Sequence, residues 1–170
     1  MTLIRLVGAL LLLGGCGGFG LTMVGHYRRE IAMLRQLISL LQEMEWELKY
    51  RLTPLPELCG ICAAGSGGQL RELFLSLRKD LESGMFAEVS GCMNAHLQSM
   101  AFPGRCESCL KELGSSLGRY DLEGQLQGIR AVRCRCRSCL EEMESHRPER
   151  LRSYQTLALC AGAALVILLV

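Results

Sequence analysis

Two apolar runs, one near each end of the sequence, constrain this chain more than any other feature. Residues Leu6 to Val24 carry no charged side chain. As a helix they extend about 28 Å, close to the roughly 30 Å hydrocarbon core of a bilayer. Residues Leu157 to Val170 are again apolar or small throughout. Counted from Tyr154, this second run reaches the lower limit of about 17 residues for a spanning helix. The expected organisation is a membrane helix over 1–25, a domain over 26–153 and a second membrane helix over 154–170.

The first run admits rivals. Its seven glycines between Gly8 and Gly25, with Gly14-x-x-x-Gly18 among them, would let another helix approach closely in lipid. A cleaved secretory signal needs a small-residue cleavage site and a polar start after it, and neither is evident. Leu13-Gly14-Gly15-Cys16 resembles a lipobox, in which Cys16 would be acylated, but the chain stays apolar beyond it. Orientation follows from basic flanks. Arg28, Arg29 and Arg35 follow the first run, Arg147, Arg150 and Arg152 precede the second, and only Arg5 lies outside. The 26–153 domain is therefore expected to be cytoplasmic.

Between the runs the pattern is helical. Ile31, Leu34, Leu37, Ile38, Leu41, Met44 and Leu48 recur at helical spacing, with Arg35, Gln42, Glu43 and Lys49 opposite. This predicts a helix over about 28–50. Thr53-Pro54-Leu55-Pro56-Glu57 ends it, with Thr53 as the expected cap of a short second helix reaching about Ala64. Leu70, Leu73, Phe74, Leu77 and Leu81 predict a third helix closed by Gly84. A fourth is expected over Phe86 to Met100 and a fifth over Arg105 to Leu117. Asp121 is the expected N-cap of a sixth, whose stripe is Leu126, Ile129, Val132, Cys136, Leu140 and Met143 and which Pro148 interrupts. No strand-like alternation competes. The predicted fold is all-α, a compact helical bundle flanked by the two membrane helices.

The 26–153 stretch holds 18 of the 19 basic residues and all 17 acidic ones. Nearly neutral, it offers no electrostatic basis for a nucleic-acid partner. There is no phosphate-binding glycine loop, nucleophile elbow or His-Glu-x-x-His. His26, His96 and His146 are far apart in sequence, without a Ser, Cys or carboxylate partner at a known spacing. No catalytic function, cofactor or small-molecule substrate is expected.

The ten cysteines sit in helical patterns rather than in a small loop-rich chain, so reduced thiols are expected. Three Cys-x-x-Cys pairs stand out: Cys59/Cys62, Cys106/Cys109 and Cys136/Cys139. Cys106, Cys109, Cys136 and Cys139 are the candidate metal ligands, since four thiolates suit tetrahedral zinc. Helical placement favours core thiols instead. The acidic run Glu43, Glu45 and Glu47 and the basic residues Arg130, Arg133, Arg135 and Arg137 are candidate partner surfaces. They could equally pair with one another, form solvated faces or lie near anionic lipid.

Leu113-Gly114-x-x-Leu117-Gly118-x-x-Asp121-x-x-x-Gln125-x-x-x-Ile129 resembles the central motif of the stage III sporulation protein AB family. So do Leu34-Arg35-Gln36-Leu37-Ile38, Glu47-x-x-Tyr50 and Thr53-Pro54-Leu55-Pro56-Glu57-Leu58, and Tyr154-x-x-Leu157-x-x-x-Ala161-Gly162 near the C-terminal end. Physically, Gly114 and Gly118 would admit a close helix, while Asp121 and Gln125 would tie the following turn. The resemblance implies a membrane protein of the mother cell, in the outer forespore membrane of an endospore-forming bacterium. It would be a non-catalytic platform in the channel complex linking mother cell and forespore, similar to the platform domain of type II secretion machines. The implied partners are membrane lipid, a companion cytoplasmic ATPase (the AA protein), other channel-complex membrane proteins and a possible second copy. The alternatives are a zinc- or redox-dependent Cys-rich membrane protein and a platform protein of another secretion or pilus system.

Overall fold

The computed structural model describes residues 25–84 and 88–145. Both predicted membrane helices, apart from Gly25, lie outside the described residues, as do Cys16, His146 and Pro148. Among the described residues no helix is long and apolar enough to cross a membrane. Every described element is helical: α1 over 25–46, ending in a wider π-helical turn at Glu47–Arg51, then α2 Leu55–Ala64, α3 Gly68–Ser83, α4 Val89–Ser99, α5 Gly104–Ser116 and α6 Leu122–Ser145.

The chain divides into two compact units. One comprises residues 30–141 and holds most of the described chain. The other joins 1–29 to 142–170, and within it the Tyr27 hydroxyl donates to the Met143 carbonyl.

In the larger unit the apolar stripes face inward. Leu34, Leu37, Leu41 and Met44 of α1 are fully buried, and Met33 and Leu40, outside the expected stripe, are buried with them. Leu70, Leu73, Phe74 and Leu77 of α3 and Ile129, Val132 and Cys136 of α6 complete much of the core. Fully burying one such aliphatic side chain contributes about 1.5–3 kcal/mol against leaving it in water. In sequence order, α2 packs on α3, α3 on α4 and α4 on α5. Ion pairs and hydrogen bonds add α1 and α6: Arg105 N–H donates to Glu30, Arg105 Nη1 to the Cys139 carbonyl, and Arg135 to Glu112 at 2.6 Å.

The corner between α1 and α2 differs from the expected one. Thr53 does not cap α2; Pro54 occupies that position without a side-chain bond. The Thr53 hydroxyl donates instead to Glu47 Oε2 at 2.8 Å. Proline restricts the residue before it to extended conformations, which turns Thr53 back toward α1. Leu52 takes up the reversal with a φ of +52°, a left-handed conformation that costs a non-glycine residue roughly 1–2 kcal/mol. Gly84 closes α3 at φ +66°.

Candidate functional site

The end of α1 carries the most distinctive surface. Glu47 points inward and is 6% exposed, because Thr53 and Arg51, the latter at 3.3 Å, both donate to its carboxylate. A buried charge without such donors would be strongly unfavourable. With the acid turned in, its neighbours turn out. Trp46, Tyr50 and Leu52 are 50%, 64% and 66% exposed. The Trp46 and Tyr50 rings lie 5.7 Å apart. Arg51 sits over Trp46 at 5.1 Å and Lys49 over Tyr50 at 5.2 Å, a cation–π arrangement that orients the rings.

Beside these rings runs an open groove of about 650 Å³, lined among others by Ser39, Gln42, Glu43, Trp46 and Arg133. One wall is an ion-pair cluster. Glu45 accepts from Arg130 at 2.6 Å and pairs with Arg133 at 2.7 Å. The Arg130 hydrogen bond holds the Glu45 carboxyl below its usual range; partial burial opposes this and the Arg133 charge supports it. Of the candidate surface residues, Glu45, Arg130 and Arg133 thus meet one another, Glu43 is exposed on the groove, Glu47 is buried structure, Arg135 pairs with Glu112, and Arg137 is exposed. The exposed aromatics were absent from the expected site. Their signal was Trp46, the chain's one tryptophan, a helical turn before Tyr50.

The central motif forms a tight corner between α5 and α6. A Cβ at Gly114 would fall 2.8 Å from Met93 Cβ, so α4 can approach only because no side chain is there. Gly118 adopts φ +73°. Asp121 Oδ1 accepts from the Gly124 N–H at 3.0 Å, capping α6, and Gln125 Nε2 donates to the Tyr120 carbonyl at 2.9 Å. Gly128 of α6 lies against Ser116 so closely that a Cβ would sit 2.5 Å from Ser116 Cβ.

The cysteines divide by burial. Cys59, Cys62, Cys92, Cys106, Cys109 and Cys136 are buried, Cys139 is intermediate and Cys134 exposed; all are free thiols. Burial pushes Cys59 and Cys106 up to about 12 and raises Cys62 as well. Across the α5–α6 contact the Cys136 thiol hydrogen-bonds to Cys109, lowering Cys109 against the opposing effect of burial, while Cys136 is raised. Cys109 also interacts with Cys139. The two Cys-x-x-Cys pairs therefore face each other, yet no three of these sulfurs lie mutually within 4.8 Å.

His96 is not isolated, as its position in the sequence suggested. Its Nε2 lies 2.7 Å from Asp80 Oδ2, and the Cys92 thiol donates to the same oxygen at 3.4 Å. The His96 hydrogen bond holds the Asp80 carboxyl low. Burial first, then Asp80, pushes the Cys92 thiol up to about 12. The sequence signal was Cys92 and His96 four residues apart on one helix face.

Together these features define an all-α protein whose exposed groove and glycine corner are built on one helical unit, with no enzyme motif in its sequence. The chain belongs to the stage III sporulation protein AB family, whose model matches residues 5–170. A solved structure described as stage III sporulation protein AB is similar in fold, with a TM-score of 0.62 at 20% identity, covering 71% of this chain and 98% of that one. No curated relative matches the chain by sequence.

Proposed function

We propose that this sporulation-family protein is a non-catalytic membrane platform in the channel complex between mother cell and forespore, and that it recruits a companion cytoplasmic ATPase through the groove at the end of α1. The observation that carries the proposal is the outward trio Trp46, Tyr50 and Leu52 beside the Glu45–Arg130–Arg133 cluster. Exposed aromatics next to arginines have the composition of interface hot spots, where a few residues supply most of the binding energy. Cation–π contacts hold both rings in place, which lowers the ordering cost of docking. The apolar runs at both ends support membrane attachment, and the arginines flanking them support a cytoplasmic domain.

The test is co-purification of the full chain, extracted in detergent, with the companion ATPase. Trp46→Ala and Tyr50→Ala should each weaken the complex at least about tenfold, the effect of losing about 1.4 kcal/mol. Retained affinity in both variants would remove the groove as the docking face. Charge reversal at Glu45 or Glu47 is a poorer probe, because both carboxylates are engaged within the fold.

A further inference from the structure

Asp80 lies near the C-terminal end of α3, and Cys92 and His96 stand one turn apart on α4. Asp80 Oδ2, Cys92 Sγ and His96 Nε2 all lie within 4.8 Å of one another. Among the described residues no other group of His, Cys, Asp or Glu side chains gathers three ligand atoms so closely. We propose that Asp80, Cys92 and His96 form a binding site for one divalent transition-metal ion, zinc fitting best, with the fourth coordination position open.

The chemistry of the three donors selects the ion. Thiolate, imidazole and carboxylate are the three side-chain types that bind zinc. Sulfur and nitrogen donors disfavour magnesium and calcium, which take oxygen ligands. The geometry needs little change. With metal–ligand bonds of about 2.0–2.3 Å, tetrahedral ligand atoms stand about 3.3–3.8 Å apart. The Cys92–Asp80 separation of 3.4 Å already falls there. The His96–Asp80 separation of 2.7 Å must open by under about 1 Å, within rotamer adjustment of two partly exposed side chains.

Burial decides the direction of access. Cys92 is fully buried, while the Asp80 and His96 side chains retain 15% and 23% of their exposure. The ion would enter across the Asp80–His96 edge and keep a water or an external ligand on its outer side. Binding replaces the two hydrogen bonds to Asp80. The Cys92 thiol proton leaves to solvent. The proton on His96 Nε2 is released from a charged ring, or moves to Nδ1 in a neutral one, freeing Nε2 to coordinate. The ion would then fasten α3 to α4.

The test uses the metal-stripped full chain in detergent, titrated with cobalt(II) as a visible reporter and then with zinc. One equivalent of cobalt should bind, with tetrahedral ligand-field bands and a thiolate-to-cobalt charge-transfer band, and zinc should displace it. Cys92→Ser should abolish the charge-transfer band. His96→Gln and Asp80→Asn should abolish stoichiometric binding with helicity intact by circular dichroism. If Cys92→Ser fails to fold, those two partly exposed positions decide. Cys109→Ser and Cys136→Ser should leave binding unchanged. Absence of bound cobalt and zinc, substoichiometric binding, or binding lost only in the Cys109 and Cys136 variants would overturn the proposal.

Discussion

Two helix–helix corners in the larger unit reverse the chain by opposite means. At the α5–α6 corner the closure uses backbone and short side chains. Leu117 N–H returns to the Leu113 carbonyl, Gly118 takes the left-handed turn, and Asp121 and Gln125 bond to the corner itself. Tyr120 is exposed there, but its Cβ already packs over Gly124. At the α1–α2 corner the closure uses a buried acid. Glu47 draws in Thr53 and Arg51, α1 widens to a π-helical turn, and Leu52 bears the left-handed conformation without glycine's freedom. The first corner turns Asp121 and Gln125 back on its own backbone and leaves Tyr120 and Leu122 exposed without a buried acid beneath them. The second turns one residue in and Trp46, Tyr50 and Leu52 out. Strained backbone and wide helical turns often accompany function, and only the second corner strains a residue other than glycine.

The sharpest way to break this contrast is to add bulk where the α5 side has none. Gly114→Leu places a side chain where even a Cβ would stand 2.8–2.9 Å from Met93 Cβ and Cγ. Overpacking by single methylenes costs about 1–3 kcal/mol, so leucine should destabilise the protein by about 3 kcal/mol or more in chemical denaturation. Gly114→Ala should cost less, because alanine's better helix propensity returns up to about 1 kcal/mol. A Gly114→Leu variant as stable as wild type would mean that the close approach of α4 to α5 beside this corner does not depend on the missing side chain.

A paired substitution probes the other corner. Glu47→Ala removes the acceptor of two donors in a buried place, and hydrogen bonds to charged groups are worth about 1.5–3 kcal/mol. A loss of about 2 kcal/mol is expected. Trp46→Ala, one residue away but half exposed, should change stability by less than about 1 kcal/mol. The ordering of these two variants, read from denaturation midpoints, is the check. If Trp46→Ala is the more destabilising, the aromatic pair belongs to the structure rather than to a docking surface.

What the sequence made visible follows the same division. The stripes of α1, α3 and α6 could be read because burial of one helix face imposes a 3.6-residue period, and Ile129, Val132 and Cys136 are buried as that period requires. Asp121 as the cap of α6 was readable because capping is local, an acid three residues before the N–H it accepts from. Thr53 shows the limit of the same rule. Its hydroxyl had two possible uses, and a carboxylate six residues earlier won it. The Glu45 pairs and the Asp80–Cys92–His96 cluster join residues on different helices. Local spacing puts Cys92 and His96 on one face of α4, but their meeting with Asp80, like that of Glu45 with Arg130 and Arg133, depends on how the helices pack.

The smallest expected effect concerns the wall of the groove. Arg130 and Arg133 hold the Glu45 carboxyl below its usual 4.5 in the folded protein. A depressed folded value favours the native state once the unfolded chain would also be ionised, so this contribution is complete above about pH 4.5 and is lost as pH falls through the lower folded value. The cluster is partly exposed, and such pairs contribute no more than about 1 kcal/mol. Glu45→Gln should therefore be less stable than wild type by up to about 1 kcal/mol at pH 7, and the gap should narrow as pH falls below about 4.5. The other carboxylates titrate in both proteins and cancel in the difference. High salt should shrink the gap at pH 7 by screening the exposed Arg130. A gap that persists unchanged at low pH would assign the Glu45 effect to packing, and the wall of the groove would then resemble the α5–α6 corner more than the surface beside it.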